Sequence, residues 1–324
     1  MSNLGNSQTT YILGIDGGGT KTVAWLAAKT NASSQCDPIV VGKGYSGPSN
    51  QRAVGPVEAT KNLDAAVDAA FMNAGLPRAT VAAACLGLAG ADRNSDRSVI
   101  IEWAQFARLA TRFEVVNDAV PLLHAHGGDG CGVALIAGTG SLAWGRNSRG
   151  EIARSGGWGY LFSDEGSAFS IGRSVLQAVS RAVDGRGEQT CLVADVLAFL
   201  QLASPQEIVS AVYSHEVPRA VVAGLAELAF TAAGKGDAVA VDMTHHAATE
   251  LAAMAVVTAR RLELNSGLFL AMTGAVLIQN SEFRQEVIAE IAAAGVQILD
   301  AIVVENAVAG AINMASRLAE TLNK

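Results

Sequence analysis

Gly14–Thr22 reads GIDGGGTKT. An apolar run, Tyr11–Asp16 (YILGID), leads into it, and a second, Thr22–Ala27 (TVAWLA), leads out. Two strand-like runs joined by glycines predict a hairpin. The arrangement returns in the second half of the chain. There Gly132–Ala137 (GVALIA) is the first strand, Gly138–Ser141 (GTGS) the turn and Leu142–Arg146 the return strand, with a further turn signal at Asn147–Gly150 leading into Glu151–Arg154. Each half therefore opens with a strand, a glycine turn and a strand, a weak internal duplication.

Between and after the hairpins, helix and strand patterns alternate. Glu58–Ala74 repeats Leu63, Val67 and Phe71 on one helical face and stops before Gly75. Val81–Leu88 reads as a strand, Ser98–Ala110 as a helix and Phe113–Asn117 as a short strand ending at Asp118. A long helix is expected from about Asp164 to Val183, with Ser163 as its N-cap, Asp164 and Glu165 at its positive end and Gly185 past its last turn. Helices fill Leu192–Leu264, followed by strands at Leu268–Met272 and Ile302–Val304 and a closing helix. This alternation predicts an α/β fold. At 324 residues the chain exceeds the roughly 250–300 at which a single core stops growing. Two domains are expected, divided within Asn117–Gly132 and placed at 1–117 and 118–324, with the last helix packing back on the first.

Half the residues are apolar and 16% are charged, which excludes an intrinsically disordered chain. The net charge of −7 and the lack of a long basic run argue against nucleic acid and against an anionic membrane surface. No apolar run approaches the ~18–20 residues of a membrane span, and MSNLGNSQTT does not have the make-up of a signal peptide. Cys36, Cys85, Cys131 and Cys191 lie far apart without a CxxC pair, so reduced cysteines are expected rather than a disulfide framework, a zinc knuckle or a local iron–sulfur motif. A cytoplasmic location follows as the expectation. His124-x-His126 and His245-His246 are not accompanied by a set of further ligands and read as packing or solvated residues.

The glycine turns fit one phosphate device better than two others. A P-loop requires GxxxxGK[ST] followed by a helix; GIDGGGTKT is one residue out of register and an apolar strand follows. Gly138–Ala143 (GTGSLA) matches the dinucleotide string GxGxxA, yet it too continues as a strand. The remaining device is a pair of phosphate hairpins, one per domain, facing each other across a polyphosphate. Glycine lets the backbone approach closely because no Cβ intervenes. Gly18, Gly19, Thr20 and Lys21 would serve in the first turn, and Gly138, Thr139, Gly140 and Ser141 in the second. Asp16, at a strand end, could hold Mg²⁺ through water. Two ordinary tight hairpins are the alternative, although one glycine each would then suffice.

The chain resembles the acetate and sugar kinase, heat-shock chaperone and actin superfamily, and within it the BadF/BadG-type ATPases, which include the N-acetylglucosamine kinases. The resemblance is carried, in order, by Gly14–Thr22, GPSN (Gly47–Asn50), LGLAGADR (Leu86–Arg93), VVNDA (Val115–Ala119), IAGTGS (Ile136–Ser141), GGWGYLFSDEGSAFSIGR (Gly156–Arg173), MTGAV (Met272–Val276) and AVAGA (Ala307–Ala311). It implies a two-domain actin-like (ribonuclease H-like) fold of duplicated βββαβα domains around a cleft, with ATP and Mg²⁺ as cofactors. By resemblance Asp118 is the catalytic base, and Asn50, Gly90, Asp92, Gly157, Trp158 and Asp164 bind the sugar. Gly274 lets adenosine approach. Each has a plainer alternative: a helix cap for Asp118, a turn residue for Asn50, a core side chain for Trp158 and a helix-dipole partner for Asp164.

The resemblance implies transfer of phosphate to the 6-hydroxyl of N-acetylglucosamine, with glucosamine as a rival acceptor in the same family. Two other classes stand beside it. A dehydratase-activating ATPase needs grouped cysteines for an iron–sulfur cluster, which this sequence lacks. A non-enzymatic nucleotide switch would leave the Asn, Trp and Asp set without a task. The expected partner is a small-molecule amino sugar, with no nucleic acid and no membrane, and a homodimer is among the assemblies open to the chain.

Overall fold

The computed structural model describes residues 9–30, 37–91, 94–213 and 219–320. The chain forms two compact units, 1–130 with 306–324, and 131–305. The division thus falls at 130/131 rather than 117/118, because the segment after Asp118 packs on the closing helix of the first unit.

In the first unit β1 (Thr9–Gly17), β2 (Thr22–Thr30) and β3 (Ile39–Ser46) form an antiparallel meander. Two short-to-long helices, α1 (Gln51–Val54) and α2 (Pro56–Asn73), lead to β4 (Val81–Leu88), then α3 (Asn94–Phe106) and β5 (Ala110–Asn117). β4 and β5 add in parallel beside β1, giving the order β3-β2-β1-β4-β5. A 3₁₀ segment, Pro121–Gly127, follows, and α12 (Ala307–Glu320) returns from the far end of the sequence.

The second unit repeats this plan. β6 (Gly132–Ala137), β7 (Ser141–Arg146) and β8 (Ile152–Gly156) form the meander. The helices are α4 (Ala168–Val183), α5 (Leu192–Leu200), α6 (Glu207–Tyr213), α7 (Arg219–Gly224), α8 (Ala226–Gly234) and α9 (Ala238–Arg261). Next come β9 (Leu268–Thr273), α10 (Ala275–Gln279), α11 (Ser281–Ala293) and β10 (Ile298–Val303). The order β10-β9-β6-β7-β8, with β9 and β10 parallel to β6, matches the first sheet strand for strand. The duplication expected from the hairpins is therefore complete at the level of topology, and each domain carries one strand more than βββαβα. Among the described residues no helix is long and apolar enough to cross a membrane.

Strand alternation sends β1 side chains to two cores. Leu13 and Ile15 join Leu26, Leu63, Val67 and Leu86 under α2 and α3. Ile12 joins Ala83, Cys85, Ala311, Ile312 and Ala315 under α12. Close backbone contact makes the second packing possible: a Cβ on Gly310 would stand 1.8 Å from the Pro121 carbonyl oxygen, and one on Gly14 would stand 2.8 Å from the Ile312 nitrogen.

β5 and β10 begin earlier than the sequence reading has them, at Ala110 and Ile298, and three further elements differ from it. α4 starts at Ala168 rather than Asp164, because Ser167 caps it by accepting from the Ser170 amide while Asp164 turns left-handed at φ 66°. α3 runs Asn94–Phe106 rather than Ser98–Ala110, and Ala110 already belongs to β5. β3 has no counterpart in the sequence reading. Its Gly42 and Gly44 break the apolar alternation, and both are required because their Cβ atoms would meet the carbonyl oxygens of Ala70 and Ala66 on α2 at about 2 Å.

Gly310→Ala is expected to destabilise the protein by roughly 1–3 kcal/mol, the usual cost of overpacking. Gly234→Ala, at the end of α8 with no atom within 4 Å of its added carbon, is the control and should leave the urea midpoint unchanged or raise it.

Candidate active site

In the first unit the register Asp16–Gly87–Val116 across β1, β4 and β5 brings the carboxyl ends of three strands to one edge. Asp118 stands just past that edge on β5, about 10 Å across from β1 at the usual ~4.8 Å strand spacing. It is half-buried. Beside it, the Asn117 side-chain oxygen turns the chain by accepting from the Ala119 amide at 2.8 Å.

The loops at this edge are hydrogen-bonded to one another. The Gly18 carbonyl accepts from the Ser49 and Asn50 amides at 3.0 and 3.1 Å, and the Gly17 carbonyl accepts from the Ala89 amide at 2.8 Å. The Thr22 hydroxyl reaches Gly47 and Ser49. Asn50 and Gly90 meet here, since a Cβ on Gly90, whose φ is +86°, would lie 3.3 Å from the Asn50 side-chain oxygen. That oxygen also caps α1 by accepting from the Arg52 amide, so the carboxamide nitrogen is the end suited to donate to a ligand. Gly19, Thr20 and Lys21 are exposed. Added carbons on Gly18 and Gly19 would meet no atom within 4 Å, and neither residue has positive φ, so neither packing nor conformation requires a glycine there. Asp92 lies outside the described residues.

Burial pushes the Asp16 carboxyl up to about 6, with the Lys21 ammonium pulling against it. A carboxylate placed at such a cost fits a site completed by a cation. Among the described residues no group of three His, Cys, Asp or Glu could hold a metal ion.

The second unit builds its own cluster around the β6–β7 turn. The Gly138 amide donates to the Gly140 carbonyl at 2.9 Å, and the Gly138 carbonyl accepts from Ala168, the first residue of α4. Thr139 is exposed, but Ser141 is not available to a ligand. Its hydroxyl donates to the Glu165 carbonyl at 2.6 Å and its amide to Asp164 Oδ1 at 3.4 Å. Asp164 therefore sits directly against the turn, with Oδ2 where a Cβ on Gly140 would come within 2.8 Å. The Gly157 amide donates to the Ser141 carbonyl, joining the Gly156–Gly159 loop to the same turn. Trp158 is 70% exposed, which removes the core alternative, and the Arg154 guanidinium lies 5.8 Å from its ring.

A cavity of about 680 Å³ opens beside Gly138 and Thr139, walled by Ala223, Gly224, Glu227, Phe230, Ala275 and Gln279 among others. Its volume lies in the range of small-molecule sites. Gly274 is not in its wall. Its glycine is demanded by φ +95° and by the β6 backbone, because a Cβ would stand 2.3 Å from the Ala137 carbonyl oxygen. The α7–α8 wall escaped the sequence reading, having only small residues in a helical pattern and no motif.

Two α/β units of one topology, each with a glycine hairpin at its first strand pair, define the fold of phosphate-hairpin ATPases and sugar kinases. The chain belongs to the BadF/BadG/BcrA/BcrD ATPase family, whose sequence profile it matches over residues 13–312. It is 35% identical over 241 residues to the N-acetylmuramic acid/N-acetylglucosamine kinase of Clostridium acetobutylicum, covering 74% of this chain and 76% of that one. It is 32% identical over 230 residues to the N-acetyl-D-glucosamine kinase of Dictyostelium discoideum, covering 69% and 72%. A solved structure from Chromobacterium violaceum, proposed to be an N-acetylglucosamine kinase, superposes with a TM-score of 0.71 at 25% identity over 96% of this chain and 98% of that one.

The hairpin glycines separate experimentally. Gly138→Ala has room, its nearest contact being Gly274 Cα at 4.0 Å, so its melting temperature should match the parent. Nucleotide affinity, measured by calorimetry, should drop about tenfold, or ~1.4 kcal/mol. Gly274→Ala should instead lose stability.

Proposed function

We propose that the chain is an ATP-dependent kinase of N-acetylated amino sugars, transferring the γ-phosphoryl group to the 6-hydroxyl of N-acetylglucosamine. The observation that carries this reading is the shared strand edge of the first unit. It groups a base candidate (Asp118), a cation-seeking carboxylate (Asp16), a sugar-donor amide (Asn50 with Gly90) and an open glycine turn. The two relatives named as N-acetylglucosamine kinases support the acceptor. The relative named also for N-acetylmuramic acid makes that sugar the second one to test.

Phosphoryl transfer asks little covalent chemistry of a protein; positioning and charge dominate. Asp118 accepts the proton of the 6-hydroxyl as that oxygen attacks. The amides of Gly19–Lys21 and of Thr139–Gly140, with the Thr20 and Thr139 hydroxyls, hold phosphate oxygens; the Gly18 and Gly138 amides close the turns themselves on the Lys21 and Gly140 carbonyls. Asp16 would hold Mg²⁺, which supplies charge neutralisation on the phosphates. The cavity beside Thr139 takes the nucleoside. Trp158 and Gly157 wall the pyranose, and Asp164 sits where that loop meets the hairpin.

Asp118→Asn keeps size and hydrogen bonding but removes the basic site. kcat should fall ~10²-fold or more, the usual worth of a general base, with KM for the sugar little changed. The parent should be assayed with ATP·Mg²⁺ on N-acetylglucosamine, N-acetylmuramic acid, glucosamine, glucose and N-acetylmannosamine. Turnover of glucosamine above both N-acetylated sugars would refute the acceptor assignment, and a fully active Asp118→Asn would refute the base.

A further inference from the structure

Asp164 is an acid in a costly place. It is buried at 5% exposure and takes a left-handed backbone, which non-glycine residues rarely adopt. Its carboxyl lies against the Gly140–Ser141 turn. Burial holds its pKa above the ordinary carboxylate range, opposed by the Ser141 amide and the Arg219 charge, with Glu165 adding to the rise and the Gly159 amide opposing it. A negative charge directly behind a turn that must receive phosphate repels that phosphate, the more so where water is excluded.

Arg219, the first residue of α7, stands opposite. Its Nη2 is 3.7 Å from Asp164 Oδ2. Its guanidinium lies over the Tyr160 ring at 4.1 Å and near Phe169 at 5.3 Å, and those two rings meet edge to face at 5.2 Å. Such a bed orients a cation while leaving its charge to act on a neighbour. The helix that carries it is fixed to α4 through main-chain contact, since a Cβ on Gly172 would stand 1.8 Å from the Val222 carbonyl oxygen. Further along the chain, Ala223 and Gly224 wall the nucleoside cavity.

We propose that Arg219 is a positioning residue for phosphoryl transfer: held on Tyr160 and Phe169, its guanidinium neutralises Asp164 behind the Gly140–Ser141 turn, so that the turn can take up polyphosphate. The inference rests on the reading of that turn as a phosphate hairpin. Arg219 need not touch the nucleotide; it sets the charge of the wall that does.

The test is ADP·Mg²⁺ binding by calorimetry, without sugar, on the parent, Arg219→Gln, Arg219→Lys, Asp164→Asn and the Arg219→Gln/Asp164→Asn double variant. Arg219→Gln should weaken binding about tenfold at pH 8. The deficit should shrink when the pH is lowered to 5.5, because burial raises the Asp164 pKa and lower pH moves the carboxyl toward its uncharged form, which repels phosphate less. It should fall below about twofold in the Asp164→Asn background, since residues acting through one another are non-additive. Arg219→Lys, which keeps the charge, should retain most of the affinity. A deficit equal at both pH values and in both backgrounds, or a folded Arg219→Lys as weak as Arg219→Gln, overturns the proposal. If the parent binds ADP but phosphorylates no amino sugar, the sugar reading fails and the Arg219 proposal is still decided by these variants. A parent that binds no nucleotide refutes both.

Discussion

The main chain of α12 lies directly on the main chain of the first unit, with no side chain between them at Gly310 and Gly14. At Gly310 the contact falls on Pro121, three residues after Asp118. The same helix reaches the 3₁₀ segment twice more, through Asn313 donating to the His124 carbonyl at 2.9 Å and Arg317 meeting His124 Nδ1 at 3.0 Å. Arginine can only donate, so Nδ1 is the accepting nitrogen of that pair. The last helix of the chain thus fixes the stretch that leaves β5, and with it the backbone of the base candidate. Two segments about 190 residues apart in sequence have to close before the strand edge is complete.

What could be read from the sequence follows from where side chains decide structure. The hairpins stood out because apolar runs stop at glycines, and α2 stood out because Leu63, Val67 and Phe71 face one core. Asn50, Gly90 and Asp118 were found by motif, and they do share one edge. β3 was lost because Gly42 and Gly44 are small to admit α2, a reason that exists only in the partner element. The start of α4 was misplaced because an acidic pair resembles a helix start, whereas Asp164 is spent on the turn and Ser167 does the capping. The Ser141 hydroxyl looked like a phosphate ligand in the string GTGS, yet it is bound to Glu165, a partner 24 residues away that no local spacing announces. The cavity wall on α7 and α8, and Arg219 itself, lie in helices without a motif.

The glycines divide by cause. Gly42, Gly44, Gly274 and Gly310 are small because another part of the protein occupies the space a Cβ would take. Gly18 and Gly19 face no atom, and Gly138 only a distant one, with ordinary backbone angles. Gly234 on α8 is equally unconstrained, but Gly18, Gly19 and Gly138 lie in the hairpin turns, where a missing Cβ leaves room for an outside group to approach the backbone. Under the proposed function that group is a polyphosphate.

Two acids, one beside the hairpin of each unit, set the same electrostatic problem and meet different answers. Asp164 is buried beside one hairpin and faces Arg219, a cation the fold itself fixes on two aromatic rings. Asp16 is held at the other hairpin, its pKa pushed to about 6, with the exposed Lys21 giving only partial relief. A permanent partner would be self-defeating at Asp16 if that carboxylate is to bind a dication arriving with the nucleotide, because the partner would compete for it. At Asp164 the demand is reversed under the proposed function: a turn that takes up polyphosphate must accept anions in every cycle, so the charge behind it has to be cancelled before the nucleotide arrives. One carboxylate is therefore left to be neutralised by the ligand's cation, and the other is neutralised in advance by the protein.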